Sequence, residues 1–140
     1  MEDNGRSWED SCCEFFVSPG GKDYYNIEVT CIGSILVGKG PDRHNRTLLD
    51  KAEVARIKRW SSLERKPYDI SGGEHSWNLT LLIPFDVIGI DPDNLPEEIK
   101  GNFYKCGDKT AHPHFVSWNP IQSEKPDFHR PEFFSSLILK

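Results

Sequence analysis

One face of the predicted sheet carries an aromatic ring and two carboxylates if the first strand is regular from Trp8 onwards. In the run from Trp8 to Phe16, Trp8 and Glu14 have the same parity, and Glu28 has the matching position on the next alternating segment. Aromatic rings pack against the C–H patches of sugar rings, while carboxylates bind sugar hydroxyls. These residues predict a carbohydrate-binding site, the alternative being an ordinary solvent-exposed strand face.

Two carboxylates can also cleave a glycosidic bond, provided that they lie about 5–9 Å apart and that one has a raised pKa. The sequence places neither Glu14 nor Glu28 in an apolar setting, and solvent-facing acids rarely have strongly shifted pKa values. No Ser-His-Asp or Cys-His arrangement can be defended either. We therefore predict that the chain is not an enzyme.

One segment has the residue types of a zinc site. Cys106, Asp108, His112 and His114 lie close together in sequence, and a small metal-dependent hydrolase that uses Cys106, His112 and His114 is one alternative function. A structural zinc site needs four converging ligands, and no second ligand pair is evident in the sequence. Loop histidines bonded to backbone carbonyls are the favoured interpretation, so no cofactor is predicted.

The four cysteines leave two redox states open. Cys12 and Cys13 are adjacent, so on a strand they face opposite sides of the sheet. At most one of the two is then expected to meet Cys31 or Cys106 in the core. One disulfide and a set of buried reduced thiols are equally compatible with this pattern.

Short alternating segments separated by turn residues dominate the chain. Alternation predicts strands over residues 13–17, 24–31, 32–37, 77–85, 102–106, 115–118 and 136–139, with the odd-numbered positions of the first two facing the core. Residues 50–60 have helical spacing, with Val54 and Ile57 three apart. The pattern predicts an all-β fold, an antiparallel β-sandwich with one short helix in the 48–60 region, and a single domain over residues 1–140.

Charge and hydropathy exclude two classes of partner. The 140 residues carry a net charge of −5 without a basic stripe, so no nucleic acid is expected as a partner. No run approaches the roughly 18 apolar residues of a membrane-spanning helix, so no membrane insertion is expected. The first residues lack the pattern of a signal peptide, which leaves the location open.

Five motifs of the chain resemble, in the same order, those of the family-9 carbohydrate-binding modules that are often attached to xylanases. The run from Trp8 to Phe16 is similar to the family's Trp-x-x-Asp-Ser-Val-Glu-Ile-Phe, and the run from Leu81 to Phe85 is similar to its Ile-Pro-Trp/Phe strand end. Segments 102–105, 117–120 and 128–137 resemble its Asn-Phe-x-Arg, Ser-Trp-x-Pro and Phe-His-x-Pro-x-x-Phe-Gly-x-Leu motifs. The resemblance extends from Trp8 to the end of the chain.

The resemblance implies a non-catalytic β-sandwich module that holds a mono- or oligosaccharide in a slot between two aromatic rings. By position, Trp8 and Phe128 are the walls of the slot, and Glu14 binds the sugar hydroxyls, with Glu28 and Lys105 as further polar contacts. The resemblance also implies an accessory role in the breakdown of a polysaccharide such as xylan, beside an attached glycoside hydrolase. The implied location is extracellular or at the cell envelope.

Three positions depart from the family pattern. Phe128 stands where the better-known xylanase modules carry Trp, Glu28 where they carry a basic residue, and Ser135 where the family has Gly. The first two departures support an alternative, a structural or protein-interaction β-sandwich whose sugar slot has decayed. The family's opening strands have no counterpart before Trp8, which predicts a shortened module with an open sheet edge, or a fragment.

The family can also carry structural calcium, and one loop offers oxygen ligands for this ion. Asp91, Asp93, Asn94, Glu97 and Glu98 are close in sequence, without the spacing of an EF-hand. An acidic turn beside two prolines explains the same residues equally well. Both interpretations of the loop stay open at the level of the sequence.

Overall fold

The computed structural model describes residues 2–69 and 72–139, which form the predicted all-β sandwich. The described strands are all paired antiparallel. They are Cys12–Ser18 (β1), Tyr24–Thr30 (β2), Ile35–Gly40 (β3), Thr47–Leu48 (β4), Lys58–Ser61 (β5), Leu79–Leu82 (β6), Glu98–Cys106 (β7), Phe115–Ser117 (β8) and Ser135–Ile138 (β9). A short helix, Lys51–Ala55 (α1), lies between β4 and β5.

The main sheet has the strand order β4–β3–β2–β1–β7–β8, and β9 pairs with β7 as well. Strand β7 is nine residues long. Its first half pairs with β9 and its second half with β8, while β1 pairs along most of its other edge. Strands β5 and β6 form a separate two-stranded sheet. The pair β1–β7 therefore connects the N-terminal and C-terminal parts of the main sheet.

The odd-numbered residues of β1 and β2 face the main core, as the alternation predicts. Val17, Ile27 and Val29 lie in one cluster of buried apolar side chains, which β3, α1 and the turn after β6 continue. Leu79 and Leu81 of β6 pack against this cluster, so the small sheet forms the second layer. Complete burial of one such side chain contributes about 1.5–3 kcal/mol. This two-layer core is the larger of the two apolar clusters described.

The helix is shorter than its sequence pattern predicts. The Asp50 carboxylate accepts a hydrogen bond from the Glu53 N–H at 2.9 Å, and the Glu53 carboxylate accepts one from the Asp50 N–H at 3.3 Å. This capping box starts α1. The helix ends at Ala55, and the residues after Ile57 form β5 because pairing with β6 satisfies their backbone groups. None of the helices among residues 2–69 and 72–139 is long and apolar enough to cross a lipid bilayer.

The even-numbered residues of β1 and β2 face a second, smaller cluster of aromatic side chains. Phe16 and Tyr24 are buried there with Tyr104 of β7, and Phe128 and Phe134 pack against them. We call this side of the main sheet the even face, and the segment 119–134 that packs over it the cover. The sequence predicts that the acids of the even face are exposed to solvent. The cover makes this expectation wrong, because it withdraws much of the face from water.

Candidate functional site

A pocket of about 380 Å³ opens on the even face, between the strands and the cover. Four of the five sugar-binding residues predicted from the sequence line this even-face pocket: Trp8, Glu14, Glu28 and Phe128. The fifth, Lys105, does not line it. The four residues come from a turn, two strands and the cover, so the fold brings together side chains that are far apart in sequence.

Glu14 and Glu28 lie side by side on the floor of the pocket. Strands β1 and β2 pair so that Glu14 is directly opposite Glu28, as their shared parity suggests. Only 6% of Glu14 and 2% of Glu28 is exposed. Buried carboxylates require hydrogen-bond partners. Glu14 Oε1 accepts a hydrogen bond from the Cys106 thiol at 3.0 Å, and Glu28 Oε1 accepts one from Asn26 Nδ2 at 2.9 Å.

Arg46 supplies the counter-charge for Glu28. Its Nη1 lies 3.2 Å from Glu28 Oε1. Burial raises the pKa of Glu28, and the guanidinium of Arg46 opposes that rise. Burial, together with the neighbouring Glu28 carboxylate, raises the pKa of Glu14 well above its usual range. The floor therefore holds two buried, interacting acids in place of the solvent-facing pair expected from the sequence.

Trp8 reaches the pocket from a turn and not from a strand. It lies in the 3-10 turn Ser7–Glu9 that precedes β1. Its carbonyl oxygen accepts a hydrogen bond from the Asp108 N–H at 3.1 Å, which joins this turn to the loop after β7. The indole is half-buried and lines the same pocket as Glu14. The predicted parity of Trp8 requires a regular strand, which this turn replaces, and the ring nevertheless lines the pocket on the predicted side of the sheet.

Phe128 forms a wall of the pocket from the cover. Its ring stacks on that of Tyr104, with 4.2 Å between the centroids and 11° between the planes. Phe115 meets the Phe128 ring edge-on at 6.3 Å. Because Tyr104 covers one face of the ring, the other face is the one that can pack against a ligand. The Tyr104 hydroxyl also donates a hydrogen bond to the Phe128 carbonyl oxygen at 3.2 Å, which holds the backbone in place.

Lys105 lies on the opposite side of β7 from the pocket. It pairs with Cys13, an odd-numbered residue of β1, so its side chain leaves the sheet on the face away from Glu14. Its Nζ lies 2.7 Å from His114 Nε2, and His114 Nδ1 lies 2.8 Å from the His112 carbonyl oxygen. His114 is therefore engaged by Lys105 and by the His112 backbone, and neither histidine converges with Cys106 within the described ranges.

Seven further residues line the pocket, and none of them was predicted from the sequence as a sugar contact. They are Arg43, Arg46, Cys106, Asp108, Phe115, Pro126 and His129. Arg43 and Arg46 come from the loop between β3 and β4, and Arg43 Nη2 lies 2.9 Å from Asp127 Oδ1 of the cover. These two arginines lie in a basic loop that directly follows β3, the strand paired with β2. This basic loop is the sequence feature from which their place at the pocket could have been predicted. His129 belongs to the segment that resembles the Phe-His-x-Pro motif, whereas Phe115 and Pro126 gave no comparable signal.

His129 is held between aromatic rings of the even face. Its Nδ1 lies 2.6 Å from the Tyr24 hydroxyl oxygen, and its ring centroid lies 4.9 Å from that of Phe16. Burial, reinforced by the nearby positive charges of Arg46 and Arg43, lowers the pKa of His129 to about 3. The imidazole is therefore neutral at pH 7 and serves as a hydrogen-bonding group.

The acidic loop before β7 does not have the geometry of a calcium site. Asp91 Oδ1 accepts a hydrogen bond from the Asp93 N–H at 3.0 Å, as in an ordinary Asx turn. Glu98 Oε1 lies 2.6 Å from Lys100 Nζ. The carboxylates of this loop do not converge at ligand distance in the part of the chain that the structure describes. The residues present do not fit the ion that the resemblance implies.

All four cysteines are free thiols in the structure. Cys12 lies directly opposite Cys106 across the β1–β7 pair, and both are buried. Of the two redox states that the sequence left open, the structure has the reduced one.

Comparison with known proteins identifies the class to which this sandwich belongs. A model described as carbohydrate-binding family 9 matches residues 1–139 of this β-sandwich. The chain belongs to carbohydrate-binding family 9. Its structure is similar to the crystal structure of a putative carbohydrate-binding protein from Bacteroides uniformis, with a TM-score of 0.91, 44% sequence identity and 99% of this chain covered. This chain spans 65% of the length of that one. No curated protein matches the sequence significantly.

Proposed function

We propose that the even-face pocket is the sugar site and that a saccharide ring packs between Trp8 and Phe128 without being cleaved. The observation that carries this proposal is that both rings and the two acids Glu14 and Glu28 line one pocket. Family membership and the Bacteroides uniformis neighbour support carbohydrate as the ligand class. Flat aromatic faces for C–H patches and carboxylates for hydroxyls are what sugar recognition requires.

Charged groups of both signs are available to the sugar hydroxyls. Glu28 and Arg46 are already joined at 3.2 Å, and two adjacent hydroxyls can donate to the carboxylate and accept from the guanidinium at the same time. Arg43 and Asp108 are exposed and lie at the rim of the pocket. Lys105 is not among the proposed contacts, because it lies on the other side of the sheet.

The size of the pocket suits a mono- or short oligosaccharide. About 380 Å³ is at the lower end of the roughly 300–1,000 Å³ range of ligand pockets. A small ligand buries little surface, so we expect a Kd between about 1 µM and 1 mM, or about −8 to −4 kcal/mol.

Binding without cleavage is proposed because Glu14 Oε1 and Glu28 Oε1 are already engaged by protein groups. Glu14 accepts a hydrogen bond from Cys106, and Glu28 is held by Asn26 and Arg46. A glycosidase needs one carboxyl group to protonate the leaving oxygen and the other free to attack or to activate water. We expect no release of reducing ends when the protein is incubated with oligosaccharides.

We also propose that the module acts in polysaccharide breakdown outside the cell or at the cell envelope, next to a glycoside hydrolase. The support is the resemblance of its motifs to those of xylanase-associated modules. Insoluble xylan should then retain the protein in a pull-down experiment better than starch does. Equal retention on both polysaccharides would remove the assignment to xylan and leave the pocket proposal untouched.

Calorimetric titration with a panel of mono- and oligosaccharides tests the pocket. Trp8→Ala should abolish binding of the sugar that the unmodified protein binds, with little change in Tm, because the indole is half-buried at the edge of the fold. Trp60→Ala is the matched control, since Trp60 is 55% exposed on β5 and does not line the pocket. Full binding of the sugar by the Trp8 variant would contradict the proposal that Trp8 forms one wall of the sugar site. No binding of any sugar by the unmodified protein would favour a structural or protein-interaction sandwich.

A further inference from the structure

Two thiols and a carboxylate converge on the floor of the even-face pocket. Cys12 of β1 lies directly opposite Cys106 of β7, and Glu14 is two residues along β1 on the same face. One ligand atom from each residue lies within 4.8 Å of the other two. Cys106 Sγ is 3.0 Å from Glu14 Oε1. All three residues are buried on paired strands, so the register of the sheet fixes this group.

The surroundings of these thiols differ from those of an ordinary buried cysteine. A structural buried cysteine behaves as a small apolar side chain among other apolar groups. Here the Cys106 thiol donates a hydrogen bond to Glu14 at 3.0 Å, the Cys12 thiol belongs to the same group, and Glu28 is directly opposite Glu14 on the neighbouring strand. Arg46 is paired with Glu28 Oε1, whereas Glu28 Oε2 is buried without a hydrogen-bond partner among the described residues. An additional cation would stabilise this concentration of acidic groups.

The ligand types select a thiophilic cation. Cysteine sulfur and carboxylate oxygen are both ligands of zinc, whereas calcium takes oxygen ligands. Tetrahedral zinc, with bonds of about 2.3 Å to sulfur and about 2.0–2.2 Å to oxygen, holds its ligand atoms roughly 3.5–3.8 Å apart. The ligand atoms of the three residues, within 4.8 Å of one another, reach that spacing by small movements of the side chains.

We propose that Cys12, Glu14 and Cys106 form a binding site for a thiophilic divalent cation, foremost zinc. Glu14 and Cys106 line the even-face pocket, which gives the ion its path from solvent. Two Zn–S bonds replace the two S–H bonds, and both thiol protons leave to solvent, together with that of the Glu14 carboxyl where it is protonated. No electrons are transferred. Three protein ligands leave the fourth position of the ion to water or to a hydroxyl of a bound ligand.

Titration of the intact, reduced and chelator-treated chain with ZnCl2 tests the site. Calorimetry should give one zinc ion per chain, and CoCl2 should produce the thiolate-to-cobalt charge-transfer absorption. Cys106→Ser and Glu14→Gln should each weaken zinc binding about 100-fold or more, because loss of an outer partner alone costs about 10–100-fold. Cys13→Ser is the matched control, since Cys13 is next to Cys12 but faces the other side of the sheet.

Because Cys12, Cys106 and Glu14 are 0%, 1% and 6% exposed, replacement of any of them puts folding at risk. A thermal melt of each variant, recorded without metal, separates a lost site from a lost fold. Less than one zinc ion per chain in the unmodified protein overturns the proposal. Equal losses of zinc affinity in Cys13→Ser and Cys106→Ser overturn it as well. Since zinc is titrated without sugar, these outcomes do not depend on carbohydrate binding.

Discussion

The guanidinium of Arg46 neutralises the Glu28 carboxylate at 3.2 Å, and only 18% and 3% of the two side chains are exposed. Glu28 comes from β2, in the middle of the sheet, whereas Arg46 comes from the loop before β4. The pair therefore joins the floor of the even-face pocket to its rim. Removing one partner from a buried ion pair leaves an uncompensated charge, which costs about 3–5 kcal/mol.

Arg46→Met is expected to lower the free energy of unfolding by about 3 kcal/mol at pH 7, as measured by urea denaturation. Arg56→Met is the matched control, because Arg56 and Asp86 are 50% and 49% exposed and such pairs contribute about 0–1 kcal/mol. Adding Glu28→Gln to Arg46→Met should recover part of the loss. Equal destabilisation by the two arginine variants would show that the buried Arg46–Glu28 pair stabilises the fold no more than an exposed pair does.

Phe128→Leu is expected to weaken sugar binding about 3–10-fold, because an aromatic contact contributes about 0.5–1.5 kcal/mol beyond the area it buries. Phe103→Leu is the control. Phe103 stacks on Phe15 at 4.7 Å and 12°, a geometry like that of Phe128 on Tyr104, but on the other face of β7. Titration of both variants with the same sugar compares them. Similar losses of affinity would mean that Phe128 does not contact the ligand.

His129→Gln is expected to reduce the loss of unfolding free energy that occurs as the pH falls below about 6.5. The pKa of His129 is about 3 in the folded chain, against about 6.5 when unfolded, so the unfolded chain takes up the proton first. Stability then falls as the pH drops from about 6.5 towards 3, and His129 accounts for about 4 kcal/mol of that loss. Gln removes this contribution and can still accept a hydrogen bond from Tyr24.

Urea denaturation at several pH values between about 7 and 3 measures the effect, as the difference between the variant and the unmodified chain. His75→Gln serves as the control, because His75 is exposed and lies outside the aromatic cluster. If His129→Gln and the unmodified protein lose stability in parallel, His129 is not the buried neutral group that the structure indicates.

The sequence could predict which residues of β1 and β2 share a face, because alternation has a period of two and both strands are regular. For this reason the prediction that Glu14 and Glu28 lie together is confirmed by their pairing. The core of odd-numbered residues follows from the same pattern. The short helix was also foreseeable, since Asp50 and Glu53 have the spacing of a capping box.

The burial of the even face could not be predicted in this way. The cover has no periodic pattern, and its position depends on tertiary contacts such as the stack of Phe128 on Tyr104. Lys105 was assigned from its place in a motif, whereas its side of the sheet is set by its pairing with Cys13. Arg46 lies in a loop. Side chains in a loop do not alternate between two faces as they do in a strand, so the direction of its side chain could not be inferred from its position in the sequence.

The cover is attached to the sheet by stacked rings and by the Arg43–Asp127 pair, and its described residues add no strand to the sheet before β9. Its length and composition can therefore change without shifting any strand register. Under the proposed function, replacement of this stretch changes the Phe128 wall of the pocket and leaves the scaffold beneath it in place. Recombination or engineering confined to residues 119–134 would thus vary the lining by Pro126, Phe128 and His129 without touching the strands of the sheet.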